Sequence, residues 1–154
     1  MKFMMNGALT LGTRDGATIE MAAAAGEENF FLFGLTAQQV ADSRGWYDPR
    51  WHYVHEPETR AALDLLFSEH FSRYEAGVFD ALRDSLLNGD YYMHLADLTS
   101  YLEADQRLLE LYADQHAWAR KVILNVAGSG KFSSDRTIKE YASEIWGAKP
   151  CPVP

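Results

Sequence analysis

Leu9-Thr-Leu-Gly-Thr-Arg-Asp-Gly-Ala-Thr-Ile-Glu-Met-Ala-Ala-Ala-Ala-Gly-Glu-Glu-Asn-Phe-Phe-Leu-Phe-Gly34 reads as strand, helix and strand. Leu9–Gly12 is a short apolar run after the turn dipeptide Asn6-Gly7. Asp15 is placed to cap a helix over Gly16–Ala25, with Gly26 just past its end. Asn29–Gly34 is a β-prone, apolar run that reads as a second strand. Thr36-Ala-Gln-Gln39 is a capping-box pattern, so a further helix is expected to about Asp42. A helix between two strands is the usual crossover of a parallel pair. Two short strands do not make a stable parallel sheet, which needs cover on both faces and several neighbours. This start is therefore expected to be the edge of a larger sheet whose other strands lie upstream.

After Arg44 the pattern turns helical. Gly45–His55 is a Trp- and Tyr-rich connector. Pro57 suits the first turn of a helix to about Phe71, with Ala62, Leu65, Leu66 and Phe67 inward. Val78, Phe79, Leu82 and Leu86 mark another, ended by Asn88-Gly89. Asp97 is placed to cap a long helix with Leu98, Tyr101, Leu102, Leu108, Leu109 and Tyr112 on one face. Asp114 opens a helix with Trp118, Val122 and Ile123 inward, ended by Gly128. Ser133 or Ser134 caps the last helix, with Asp135 in its first turn and Ile138, Tyr141, Ala142 and Ile145 on its face. Pro150-Cys-Pro-Val-Pro154 cannot continue a helix.

The chain has 154 residues, 47% hydrophobic and 13% aromatic, enough for one packed domain. Its net charge of −8 carries no basic footprint for nucleic acid. Its longest apolar runs, Met21–Ala25 and Phe30–Phe33, are too short to span a bilayer. No basic and apolar leader pattern opens it. The single cysteine, Cys151, fits a reducing, cytoplasmic setting.

Met1-Lys-Phe-Met-Met-Asn-Gly-Ala-Leu-Thr10 resembles the second half of the cofactor-lysine motif of the α-glucan phosphorylases. Gly26-Glu-Glu-Asn-Phe-Phe-Leu-Phe-Gly34, Ser129–Tyr141 and Ile145-Trp146 resemble further signatures of that family. The match runs from Met1 to about Trp146 and is loosest between Arg44 and Tyr92. Arg14 stands where an aliphatic residue is usual, and Thr18 where an Asn is usual.

The resemblance implies that Lys2 carries pyridoxal 5′-phosphate as a Schiff base, and that residue 1 falls inside an active-site motif. On spacing alone, Lys2 is a solvated lysine. The implied fold is α/β: the edge of a Rossmann-like parallel sheet with two short strands, then a mostly helical segment, within a two-lobed glycosyltransferase-type fold. Residues 1–146 would be the last portion of the cofactor-binding lobe and 147–154 a tail. The implied activity is release of α-D-glucose 1-phosphate from α-glucan ends by inorganic phosphate, in storage-polysaccharide breakdown, by an allosteric homodimer. The family's cofactor-phosphate cradle and sugar groups match no position here, so no catalytic residue is assigned and the isolated chain is expected to be inactive. Two other readings are a non-catalytic helical interaction module derived from a phosphorylase, and a sugar-nucleotide glycosyltransferase. The second leaves the Lys2 motif unexplained.

The remaining candidates have plainer readings. Gly12–Gly16 is a glycine-flanked loop before a helix, where an anion could sit; Asp15 favours a simple cap. His52-x-x-His55, with Glu56 and Glu58, has zinc-like spacing, but its setting suggests a loop, and no metal site is assigned. His70, His94 and His116 are isolated. Asp135-Arg136 reads as a helix start, and Glu103, Asp105 and Glu110 as a solvated face. Cys151 has no base nearby. Trp46, Trp51, Tyr47 and Tyr53 could stack sugars or serve an interface.

Overall fold

In a computed structural model the chain is mostly helical, with one two-stranded parallel sheet. The structure describes residues 1–73 and 75–151. It opens with a single turn, α1 (Lys2–Met5), then β1 (Leu11–Thr13), α2 (Gly16–Ala25), β2 (Phe31–Phe33) and α3 (Ala37–Ser43). There follow α4 (Pro49–His55), α5 (Pro57–Leu66), α6 (Glu69–Ser72) and α7 (Asp80–Asp84). Two long helices, α8 (His94–Tyr112) and α9 (Gln115–Gly128), precede the short α10 (Ser134–Glu140).

The expected strand–helix–strand–helix order is present. Leu11 pairs with Phe31, Gly12 with Leu32 and Thr13 with Phe33 in parallel register, with α2 as crossover. The α2 bounds agree with the expectation, and Gly26 ends the helix at φ +90°, a conformation that favours glycine. The Thr36 box is complete: its hydroxyl accepts from the Gln39 N–H while the Gln39 side chain accepts from the Thr36 N–H. Asp114 accepts from the N–H groups of His116 and Ala117 at 3.0 Å, starting α9 as expected.

The core is small. Met4, Met21, Ala22 and Phe30 form its buried cluster, joined by Ala25, Leu32 and Phe132. α9 closes this cluster from the other side by packing on α1 and α2. The approach is close at Gly128, where a Cβ would lie 2.9 Å from the Ala24 carbonyl oxygen. Asn125, fully buried on α9, donates to the Asn29 and Lys121 carbonyls at 3.0 and 2.9 Å.

Several expectations change. The Gly45–His55 connector contains α4, with Pro49 in its first turn and Asp48 accepting from the Arg50 N–H at 2.9 Å. Asp15 stands at the start of α2, but its carboxylate takes the Thr13 hydroxyl at 2.6 Å instead of a helix N–H. Ser133 precedes α10 without a side-chain cap. The helix from Pro57 stops at Leu66, and α6 is separate. α5 buries Thr59 and Leu63, while Ala62 and Leu65 are exposed.

α8 begins three residues before Asp97, because the cap comes from upstream. Asp90, buried, accepts from the His94 and Leu95 N–H groups at 2.9 Å. That helix buries Leu95 and Ala104, leaving Tyr101, Leu102, Leu109 and Tyr112 exposed. Ile123 of α9 and Ile138, Tyr141 and Ile145 near the end are exposed as well. The expected apolar stripes exist, but among the described residues no second layer covers them. Part of the expected tail, 152–154, lies outside the described residues. No helix among the described residues is long and apolar enough to cross a membrane.

Candidate functional site

Lys2 is the first residue of α1 and is exposed. One turn cannot hold itself together, since helix nucleation is unfavourable. This turn is held from below. Met4 is fully buried against Met21, Ala22 and Phe30. The Asn6 side chain donates to the Lys2 carbonyl at 2.7 Å, and the Ala8 N–H donates to the Phe3 carbonyl at 3.0 Å. Gly7, at φ +83°, turns the chain away, and a Cβ there would lie 3.1 Å from Val122 Cγ1 on α9. The backbone under Lys2 is thus fixed by α9 and the core, while the side chain stands free.

The residues next to Lys2 in sequence are apolar. Met1, Phe3 and Met5 are exposed beside it, Phe3 at 82%. Such a patch is usually covered in use. A lysine amine is the group that joins covalently to an aldehyde cofactor, and covering it with apolar surface favours its neutral, nucleophilic form. Lys2 and its surroundings fit the attachment point of pyridoxal 5′-phosphate in that respect. They supply no anion cradle for its phosphate.

The other sequence candidates resolve into structural roles. His52 and His55 lie on α4, not in a loop. His52 Nδ1 is 2.8 Å from Glu56 Oε1, and His55 Nδ1 is 2.9 Å from the Trp51 carbonyl oxygen. Among the described residues, no three His, Cys, Asp or Glu side chains gather as metal ligands. Arg136 pairs with Glu140 at 2.6 Å and donates to the Lys131 carbonyl. Cys151 is exposed.

Two carboxylates near the start of α8 make longer ties: Asp90, which the sequence reading passed over, and Asp97, which it read as a helix cap. Asp90 Oδ2 accepts the Tyr47 hydroxyl at 2.6 Å. Burial, reinforced by that carboxylate, holds the Tyr47 phenol above its usual range. Asp97 Oδ1 accepts from the Leu35 N–H at 2.8 Å, just past β2. Burial pushes its carboxyl up, and the Leu35 N–H opposes this. Both pairs tie α8 to segments more than 40 residues away, which no local spacing rule detects.

Comparison with known proteins gives the family. The family model described as carbohydrate phosphorylase matches residues 1–148. Glycogen phosphorylase of Synechocystis sp. (strain ATCC 27184 / PCC 6803 / Kazusa) is 50% identical over 151 residues, covering 97% of this chain and 18% of that protein. The brain form of Homo sapiens is 48% identical over 151 residues, and the muscle form of Oryctolagus cuniculus 47% over 152, with the same shares. The chain spans about 18% of the length of these relatives. With the family model covering nearly every residue from the Lys2 turn to the end of the helical segment, this chain belongs to the carbohydrate phosphorylase family.

Proposed function

We propose that this chain acts as the last part of the cofactor-binding lobe of an α-1,4-glucan phosphorylase. Residues 1–146 belong to that lobe and 147–154 to its tail, within a two-lobed glycosyltransferase-type fold. The whole enzyme releases α-D-glucose 1-phosphate from glucan ends with inorganic phosphate, as a cytoplasmic homodimer. The observation that carries this reading is the near-half identity over 97% of the chain to proteins named glycogen phosphorylases.

Within that enzyme Lys2 is the residue that holds pyridoxal 5′-phosphate, through its amine. When bound, the cofactor supplies a phosphate group that gives and takes a proton. The chain's own residues position and shield. Met4 in the core and Gly7 against Val122 fix the turn, so the amine is presented from a rigid base. Met1, Phe3 and Met5 supply an apolar collar that excludes water once the remaining lobe covers it. β1 and β2 extend the lobe's sheet, and α8 and α9 back it.

The test is borohydride reduction in the presence of pyridoxal 5′-phosphate, using the phosphorylase-length protein that carries this segment, followed by peptide mapping. The cofactor should be fixed on the peptide bearing Lys2, and Lys2→Ala should lose it. Attachment to Lys121, Lys131, Lys139 or Lys149, or stoichiometric cofactor in Lys2→Ala, would overturn the assignment.

A further inference from the structure

Asn125 on α9 is fully buried, and half of its amide is unused. Its Nδ2 donates to the Asn29 carbonyl at 3.0 Å and to the Lys121 carbonyl, one turn back, at 2.9 Å. Both partners are acceptors, so the orientation of the amide is fixed and Oδ1 is left as a free acceptor. No donor among the described residues reaches Oδ1. The chain's own atoms seal that oxygen, so nothing added around the chain's surface reaches it. We propose that Asn125 is a positioning residue for the Lys2 amine: it sets the register of α9, and α9 sets the place of the Lys2 turn.

A buried acceptor without a donor is costly, and an apolar side chain of similar size would avoid that cost. The best-attested use of a polar group kept in a core is to fix the register of a helix. Register matters here, because α9 meets the amino-terminal segment at three points along one face. Val122 lies against Gly7, Asn125 holds Asn29, and Gly128 meets the α2 backbone at Ala24 and Ala25. These residues are three apart, so they share a face and follow one another by about 4.5 Å along the axis. Val122 and Gly128 make only van der Waals contacts, which a sliding helix exchanges for others. The bond from Asn125 is directional, and Asn29 is itself buried, where a carbonyl has to be paired.

From Asn29 the path to Lys2 is short. Phe30, next in the chain, is buried in one cluster with Met4, and Met4 holds the Lys2 turn from below. Val122, three residues before Asn125, holds Gly7 just past that turn. A slip of α9 by one turn, about 5.4 Å, takes Val122 off Gly7 and breaks the bond to Asn29. Cofactor attachment joins the neutral Lys2 nitrogen to an aldehyde carbon and releases the aldehyde oxygen as water. Such a step depends on where the amine stands. The inference rests on the reading of Lys2 as the attachment point.

The test uses the phosphorylase-length protein that carries this segment, stripped of cofactor and then given pyridoxal 5′-phosphate. Attachment is timed by borohydride trapping with peptide mapping, and hydrogen exchange is followed in the peptide of residues 1–8. Asn125→Leu removes both bonds. Asn125→Ser is the milder change: a serine hydroxyl still reaches the Lys121 carbonyl four residues back, and only the tie to Asn29 is lost. Each variant should slow attachment to Lys2 about tenfold and speed exchange in that peptide. Tyr47→Phe, which loses the hydrogen bond to buried Asp90, should lower the urea midpoint and do neither. The positioning role is overturned if either folded Asn125 variant attaches cofactor at the parental rate, or if Tyr47→Phe slows attachment as much as they do. In those cases the parental adduct still maps to Lys2, and the reading of Lys2 stands. A parental adduct on another lysine overturns both.

Discussion

Tyr47 donates a 2.6 Å hydrogen bond to Asp90, and Asp90 is the cap of α8 although it lies four residues before that helix begins. The carboxylate collects three donors: the phenol and the His94 and Leu95 N–H groups. Met93, between cap and helix, takes a left-handed conformation at φ +56°, folding the chain back so that Asp90 reaches the helix end. The turn before α4 is thereby fastened to the start of the longest helix.

Tyr47→Phe removes one of the three donors from a buried carboxylate. It should cost about 1–3 kcal/mol in urea unfolding. Asp90→Ala, which strands all three donors, should cost more.

The same pair sets an alkaline limit. Folding holds the Tyr47 phenol above its usual range, chiefly by burial and then by Asp90. The unfolded chain loses that proton near pH 10 while the folded chain keeps it. The unfolded state then binds fewer protons, so stability is full below about pH 10 and falls as pH rises beyond it. Tyr47→Phe should flatten that alkaline limb, as read by thermal unfolding between pH 8 and 11.

Asp97 gives the opposite kind of test. Burial raises its carboxyl, so the ionised form that prevails at neutral pH is disfavoured in the folded state. Its stabilising contribution is full below its unfolded value near 4 and is lost as pH rises through the folded one. Asp97→Asn keeps an oxygen for the Leu35 N–H and removes the charge. The variant should match or exceed the parent at pH 7 and lose that advantage at pH 3.5 in urea melts.

Glycine positions divide sharply. Gly34 sits at φ +80°, and a Cβ there would lie 2.7 Å from Asp97 Oδ2. Gly34→Ala should cost about 1–3 kcal/mol from backbone strain and the displaced carboxylate. Gly128→Ala should cost a similar amount, since its neighbours are the α2 backbone at Ala24 and Ala25, which cannot step aside. Gly130→Ala, with open space around it, should be nearly neutral.

The isolated chain should self-associate and show no phosphorolysis. Phe3, Ile123, Ile145 and Trp146 are exposed, and the two-stranded sheet has free edges. Light scattering should report a mass that rises with concentration. No glucose 1-phosphate should form from maltoheptaose: on the proposed reading Lys2 is an attachment point only, and preorganised charge-stabilising groups carry most catalysis.

What was legible in the sequence was local. The α2 bounds, the Thr36 box and the Asp114 cap follow from residues within a few positions of one another. α4 was hidden because aromatic residues between two prolines resemble a connector more than a helix. The α8 start was hidden because Asp90 caps from outside the usual position. The inward faces of α5, α8 and α10 were drawn from periodicity, which finds a stripe but not whether anything lies on it. The family motif alone singled out Lys2; its exposure, and the anchoring of its turn by Met4 and Val122, needed the fold.

The turn before β2 is gripped by α9, with Lys121 Nζ donating to the Glu28 carbonyl and Asn125 Nδ2 to that of Asn29, across 93 and 96 residues. On a ribosome, the strands emerge long before the helix that clasps them. At ordinary elongation rates β2 waits roughly 5–20 s for its clasp. Contacts of such long range slow folding, and the nascent strands spend that interval with open edges. The carboxyl-terminal third of the chain therefore completes folding of the amino-terminal third. A stop codon before residue 121 would strand the Lys2 turn, although it lies more than a hundred residues away.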